Sequence, residues 1–466
     1  MAATVAQLRG TGHQLRTVKE EMRENLLSAL RTGEDAFPGI IGFGQTVLPQ
    51  LERAIIAGHD VILLGERGQG KTRLIRTLTL LLDEWTPVVT GCEINDHPYA
   101  PACARCLRLA AELGDELPVT WRRRDERYGE KLATPDTSVG DLIGDIDPVK
   151  VAEGRTLGDP ETIHFGLVPR TNRGIFCLNE LPDLAERIQV ALLNVLEERD
   201  IGVRGYSLRL PLDLVLVASA NPEDYTNRGR IITPLKDRFG AEIRTHYPVS
   251  LEAELALVHQ EAQLSWGAAS APGALLPEHL VQVIARFTRL VRASPAVDSR
   301  SGVSARFAIA AAEAVAASAV RRAAISGEDQ PVARVCDLPS TISTLRGKVE
   351  FEVSEEGREQ EVLDHLLRRA TAETFRATLG NADLSGLLAR FAEGGAVETG
   401  DLLAATDLLR RIGEVQGLAK IMERLHMEGG ESFGEAAAAL EFAMEGLYLM
   451  RRLSKDALDG GAVYRT

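Results

Sequence analysis

Three groups of residues in this 466-residue chain have types and spacings suited to chemistry. The first is Gly65-Glu66-Arg67-Gly68-Gln69-Gly70-Lys71-Thr72, the pattern G-x-x-x-x-G-K-T, entered from the apolar run Val61–Leu64 and followed by apolar residues at helical spacing. Such a loop meets triphosphate oxygens with successive backbone N–H groups, and Gly65, Gly68 and Gly70 keep side chains out of the way. Lys71 supplies a point charge to the β and γ phosphates, and the Thr72 hydroxyl is a ligand for Mg2+. The second group ends two apolar runs: Gly174–Glu180 delivers Asn179 and Glu180, and Leu214–Asn221 delivers Asn221. A loop of the first kind usually works with two acids at such a strand end, one for Mg2+ or its waters and one to polarise the attacking water. Here the first is Asn179, whose amide oxygen can bond a metal-bound water but adds no charge. Glu180 keeps the role of base, and Asn221 can orient the water.

The third group is Cys92 to Cys106, with three cysteines and His97 within fifteen residues. Cys103 and Cys106 form a C-x-x-C knuckle, which Cys92 and His97 can complete as a tetrahedral set for Zn2+. The spacing fits a structural zinc and a set of reduced, metal-free cysteines equally well. A redox C-x-x-C fits less well, because no thioredoxin-like strand precedes the pair.

The elements that must position these groups are legible as period. Leu15–Arg31 has apolar residues at three- and four-residue steps, the pattern of an amphipathic helix packed on the next domain. Phe37–Gln45 is a glycine-punctuated approach in which Ile41 and Gly42 suit the flat edge of an adenine. Val88–Gly91, Gly174–Glu180, Leu214–Asn221 and Glu242–Thr245 read as strands, Leu184–Glu198 as a helix, and Ile201–Leu210 as a hairpin. Trp121–Arg127 reads as a solvated charged face. Apolar strands alternating with helices, with polar residues at the strand ends, describe a parallel sheet with its ligand at the C-terminal edge. Further on, Glu252–Leu290 and Ser304–Arg322 are helical. Pro331–Val353 is a connector with a short strand at Gly347–Val353. Glu361–Leu379, Asp401–Leu425 and Phe433–Leu453 are helices broken at Gly394-Gly395 and Gly429-Gly430, and Gly460–Thr466 reads as a frayed tail.

Bulk properties set limits. A net charge of −14 argues against a broad nucleic-acid or anionic-membrane surface. No stretch approaches eighteen uninterrupted apolar residues and no signal segment opens the chain, so the expected location is cytoplasmic. Five cysteines, an odd number, do not suggest a disulfide framework.

With these pieces together, residues 39 to 324 resemble the AAA+ ATPases of the magnesium chelatase and MoxR type, most closely the ATPase subunit of magnesium chelatase. Gly65–Thr72 matches Walker A, Ile175–Glu180 Walker B, and Asn221 in Ser-Ala-Asn-Pro sensor 1. Arg238 in Leu-Lys-Asp-Arg-Phe-Gly occupies the arginine-finger position, and Arg306 in Ser-Ala-Arg the place of sensor 2. The resemblance implies an α/β P-loop domain with a helical lid and a C-terminal all-helical domain. The expected divisions are an N-terminal helix to residue 36, an ATPase core over 37–248, a lid over 249–330, and a connector with the helical domain over 331–466. It also implies ATP and Mg2+ as cofactors, hydrolysis of the phosphoric anhydride, a homo-oligomeric ring expected to be a hexamer, and a protein partner with a von Willebrand A domain. Insertion of Mg2+ into a porphyrin does not follow, because nothing in the sequence identifies a porphyrin site. Asn179 leaves a second reading open, a nucleotide-gated scaffold that scarcely hydrolyses. An enhancer-binding activator of transcription would need a Gly-Ala-Phe-Thr-Gly-Ala loop and usually a helix-turn-helix, and the sequence has neither.

Overall fold

The computed structural model describes residues 1–152, 160–197, 200–203, 206–221, 230–265, 273–298, 302–392, 395–427, 432–458 and 460–466. Pro222, Arg204-Gly205, Gly394 and Gly429-Gly430 lie outside them. The chain divides into two compact units, Met1–His246 and Tyr247–Thr466.

The first unit begins with α1 (Val5–Gly10), α2 (Val18–Thr32), α3 (Leu48–Ile56), β1 (Val61–Leu64), α4 (Lys71–Thr77), β2 (Trp85–Val89), α5 (Ala104–Leu113), β3 (Val119–Arg123) and β4 (Tyr128–Leu132). It continues through α6 (Val139–Leu142), β5 (Gly144–Ile146), α7 (Pro148–Ala152), β6 (Ile163–Phe165), α8 (Leu167–Arg170), β7 (Gly174–Asn179) and α9 (Glu186–Glu197). The hairpin β8 (Asp200–Val203) and β9 (Tyr206–Arg209) precedes β10 (Leu214–Ala220) and β11 (Ala241–Arg244). Five strands make one sheet in the order β11-β1-β10-β7-β4, and every pairing in it is parallel.

The apolar runs of β1, β7 and β10 have no polar alternation because both faces of the sheet are covered. Val61, Leu63, Ile175, Cys177, Val215 and Val217 pack with residues of α2, α3 and α4. Ile62, Leu64, Phe176, Leu178, Leu216 and Ala218 pack on the other side with Ile188, Leu192 and Val195 of α9. Residues one apart in a strand thus serve opposite cores.

Several elements differ from the sequence expectation. The N-terminal helix starts at Val18, after a capping box of Thr17 and Glu20, and buries Val18, Glu21, Met22 and Leu26, whereas Leu15 and Leu30 are exposed. The strand at Val88–Gly91 is β2, ends at Val89, and pairs antiparallel with β3 outside the main sheet. Trp121–Arg127 is only partly a solvated face, because Arg127 is buried against Glu21. β4 is an addition, since Tyr128-Gly129-Glu130-Lys131-Leu132 has no apolar run; it is an edge strand, paired on one side only.

The second unit is mainly helical, as expected. Its long helices are Glu278–Arg292, Arg306–Ser326, Glu359–Leu379 and Phe433–Leu449, and one apolar cluster joins them. No strand forms at Gly347–Val353, where Phe351 makes an isolated bridge with Val297. The chain's end is not frayed. β14 (Gly461–Arg465) lies between β12 (Val397–Gly400) and β13 (Ser454–Leu458), adding a small antiparallel sheet to the helices, and Tyr464 on it is buried. Among the described residues no helix is long and apolar enough to cross a membrane.

Candidate functional site

The predicted nucleotide loop runs from the end of β1 into α4. Gly70 has φ 78° and Gly68 φ 72°, left-handed values that glycine takes without strain. A Cβ on Gly65 would lie 1.9 Å from Thr245 Oγ1 and 2.2 Å from Gln69 Oε1, so only glycine fits there. Those two atoms bond each other at 2.7 Å, and Thr245 N donates to Leu64 O at 2.7 Å, tying the loop to the end of β11.

Three predicted residues meet at the C-terminal edge of the sheet. The buried Lys71 ammonium donates to Asn221 Oδ1 at 2.8 Å and to Glu66 O at 3.0 Å, and also bonds Gly65 O. Asn221 Nδ2 donates to Glu180 Oε2 at 2.9 Å. Lysine, amide and carboxylate therefore form one chain across β1, β10 and β7. Glu180 stands at φ 53° directly after β7, and its N–H donates to Ser219 Oγ at 3.3 Å. A left-handed backbone at a non-glycine residue costs on the order of 1–3 kcal/mol and is held here by the strand end.

Asn179, expected to stand in for the first acid, is committed at both ends. Its Nδ2 donates to Glu130 Oε1 at 2.7 Å, and its Oδ1 accepts from Ser219 Oγ at 3.1 Å. Glu130 Oε2 accepts in turn from Arg76 Nε and from the Tyr128 hydroxyl, each at 3.0 Å. Glu130 comes from the added edge strand β4, so a carboxylate lies beside Asn179 although β7 itself carries none.

The other predicted residues are spread more widely. Ile41 is half-buried and Gly42 exposed with φ 80°, ahead of Phe43, whose ring packs on His246 at 5.2 Å. Arg238 ends the short helix Thr233–Arg238 on the surface of the first unit, 46% exposed, and pairs with Glu197 at the end of α9. Arg306 opens the helix Arg306–Ser326 of the second unit and bonds Ser304 Oγ through its N–H. Thr72 follows Lys71 in the first turn of α4 and is half-buried.

In the cysteine loop the structure gathers Cys92, Cys103 and Cys106 as expected, but the fourth group is Asp96. His97 is turned to its own partners: its Nε2 is 3.1 Å from His13 Nε2, and its Nδ1 accepts from Tyr99 N at 3.0 Å. Burial, then Arg173 and His13, hold the His97 imidazole down to about 2, so it stays neutral. Burial pushes the Asp96 carboxyl up, and the charge of Cys92 pushes it the same way. Asp96, Glu130 and Ser219 are the residues sequence reasoning missed. Asp96 could have been found, since carboxylates ligate zinc as imidazoles do. Glu130 carries no such signal.

Known proteins resemble this chain over part of its length. Residues 156–238 match the model of the Sigma-54 interaction domain, a stretch that includes β7, β10 and Arg238. The chain is 30% identical over 233 residues to the magnesium-chelatase subunit ChlI of Nostoc sp., a match covering 49% of this chain and 58% of that protein. It is 32% identical over 209 residues to the magnesium-chelatase 38 kDa subunit of Acidiphilium rubrum, covering 43% and 55%. With the subunit of the same name from Cereibacter sphaeroides it shares 29% over 244 residues, covering 50% and 67%. The chain thus spans little more than half the length of the first of these relatives. Among solved structures, the complex of subunits BchI and BchD of magnesium chelatase matches at 21% identity over 70% of this chain and 98% of that one, with a TM-score of 0.37.

Proposed function

We propose that this chain, an AAA+ protein related to the magnesium-chelatase subunits, binds ATP with Mg2+ and hydrolyses it in a ring of like chains to remodel or activate a protein partner. The observation that carries the reading is the continuous contact from Lys71 through Asn221 to Glu180 at the end of a parallel sheet. The backbone N–H groups of residues 65–72 take the phosphates, and Lys71 exchanges Asn221 for the β and γ oxygens. Asn221, released from Lys71, keeps Glu180 in place and orients water, and the Glu180 carboxylate accepts the proton of that water as it attacks the γ phosphorus, whose bond to the β–γ bridging oxygen breaks to release ADP. The Thr72 hydroxyl would hold Mg2+ and the side-chain oxygen of Asn179 one of its waters, with the Glu130 carboxylate beside Asn179; bound there, the ion would neutralise charge on the phosphate oxygens. Ile41 and Gly42 border the adenine. The exposed Arg238 reaches a neighbour's phosphates, and Arg306 keeps the sensor 2 role that the resemblance implies.

The finer points rest on the family resemblance: a hexameric ring, a partner with a von Willebrand A domain, a cytoplasmic setting, a place near the MoxR proteins, and the lid over 249–330. A specific observation favours a second reading, a nucleotide-gated scaffold. Both ends of the Asn179 amide are committed to neighbours, and β7 itself brings no charge to Mg2+.

ATP turnover separates the two. Replacing Glu180 by Gln should lower turnover by about 10²–10⁴-fold if Glu180 is the base; equal, background-level rates in the wild type and E180Q would establish the scaffold. Sites shared between chains have their own test. Two inactive variants, Lys71→Ala and Arg238→Ala, should regain activity when mixed, because each supplies what the other lacks. No recovery in mixed rings would place Arg238 outside the site.

A further inference from the structure

The loop between β2 and α5, with the first turn of α5, brings four ligating atoms together. The sulfurs of Cys92, Cys103 and Cys106 and a carboxylate oxygen of Asp96 all lie within 4.8 Å of one another. A tetrahedral ion with bonds of about 2.3 Å to sulfur places its thiolates about 3.8 Å apart. Cys92 Sγ and Cys103 Sγ are 4.0 Å apart, and all three cysteines are free. A four-iron cluster would hold its thiolates on separate corners, farther apart than this group allows.

A second observation points to a cation independently of the spacing. Asp96 is 1% exposed, and among the described residues only one of its oxygens is hydrogen-bonded. Its Oδ2 accepts from Ala102 N at 3.0 Å and Cys103 N at 2.8 Å, whereas Oδ1 is buried with no hydrogen-bond partner among the described residues. Leaving a buried carboxylate oxygen bare is costly, and a bound cation removes that cost.

The surroundings suit thiolates. Asp96 N donates to Cys92 Sγ and Cys106 N donates to Cys103 Sγ, each at 3.3 Å. Cys103 caps the ten-residue helix α5 and Cys106 lies in its first turn, where the helix end favours negative charge. Three sulfurs and one oxygen exclude Mg2+ and Ca2+, which take oxygen ligands, and favour Zn2+.

We propose that Cys92, Asp96, Cys103 and Cys106 form a closed tetrahedral site for one Zn2+ that clamps this loop onto the segment leading into β7. The residues between the first two ligands make the clamp. Ile94 O accepts from Asn172 Nδ2 at 3.0 Å, Asn95 Nδ2 donates to Arg170 O at 2.6 Å, and Arg122 bonds Asn95 Oδ1. Asn172 lies two residues before the strand that ends in Asn179, with Glu180 next after it. Four protein ligands leave no open position, so the ion is structural.

The test uses the full chain, purified without a polyhistidine tag and without nucleotide, so that its outcome is separate from that of hydrolysis. Elemental analysis should find one zinc per chain. Co2+ exchanged into the site should give visible bands of tetrahedral intensity together with a thiolate charge-transfer band in the near-ultraviolet. Asp96→Asn, which keeps the acceptor for Ala102 and Cys103, should weaken zinc binding at least about tenfold, and Cys103→Ser should abolish it. His97→Ala should retain a full complement. A folded wild-type chain that holds no zinc and takes up no Co2+ would overturn the site, as would iron with acid-labile sulfide in its place. Loss of zinc in H97A with retention in D96N would overturn the ligand set. If C103S fails to fold, the Co2+ spectrum and D96N still decide.

Discussion

Asn179 is the residue at which this chain departs from the usual arrangement, and its neighbours explain why the usual acid would fit badly. Its amide donates to Glu130 at 2.7 Å in a largely buried place, so an aspartate there would set two carboxylates in contact. Both cannot ionise without a cation between them. Asn179→Asp should therefore destabilise the metal-free chain by about 1–3 kcal/mol near pH 8, and the loss should shrink toward pH 5 as one group takes a proton. Melting curves across that range check it, and Glu130→Gln in the same background should restore stability. An N179D chain as stable as the wild type at pH 8 would show that the two side chains are not held together.

At the scale of elements, the first unit depends on one buried ion pair. Glu21 on α2 accepts from both terminal nitrogens of Arg127, at 2.7 and 2.8 Å, and also from Asp83 N at 2.6 Å. Arg127 Nε donates in turn to Arg173 O at 2.7 Å, just before β7. One pair thus joins the N-terminal helix, the start of β4 and the entrance to the strand that ends in Asn179. Arg127→Leu leaves a buried carboxylate without its cation and should cost about 3–5 kcal/mol. Replacing Glu21 by Leu as well should recover most of that loss, because the pair's attraction largely offsets its own desolvation. Urea unfolding of the single and double variants measures both; equal losses in the two would mean the charge pair is not what R127L removes.

For the molecule as a whole, acid stability has an identifiable source in the second unit. His279 is fully buried beside the Phe442 ring, at 4.5 Å between centroids, and neither ring nitrogen has a hydrogen-bond partner among the described residues. Burial holds its pKa down to about 3, against an ordinary value of 6.5. The unfolded chain therefore takes the proton first. Stability is full above about pH 6.5 and falls as the pH drops toward 3, by about 2 kcal/mol on reaching pH 5. His279→Leu should remove that part of the acid sensitivity, read as a flatter dependence of Tm on pH between 7 and 5. The small sheet at the chain's end also belongs to this unit. Tyr464 is buried on β14 and its hydroxyl bonds Glu445, so Tyr464→Phe should cost about 1–2 kcal/mol in urea unfolding.

The glycines, Lys71 and Thr72, the apolar strands and the polar residues at their ends were legible because each is a local pattern: a run, a period or a fixed spacing. That was enough to determine a parallel sheet with a phosphate loop at its edge, and to place Glu180 and Asn221 there. The sequence by itself could not supply contacts made between distant stretches. Glu130 reaches Asn179 from an edge strand with no apolar signature, Asp96 takes the place expected of His97 because the loop's turn faces the histidine toward His13, and the last residues become a strand only because β12 and β13 wait on either side. Period and spacing report which face of an element is buried; only the folded chain decides which side chain from elsewhere meets it.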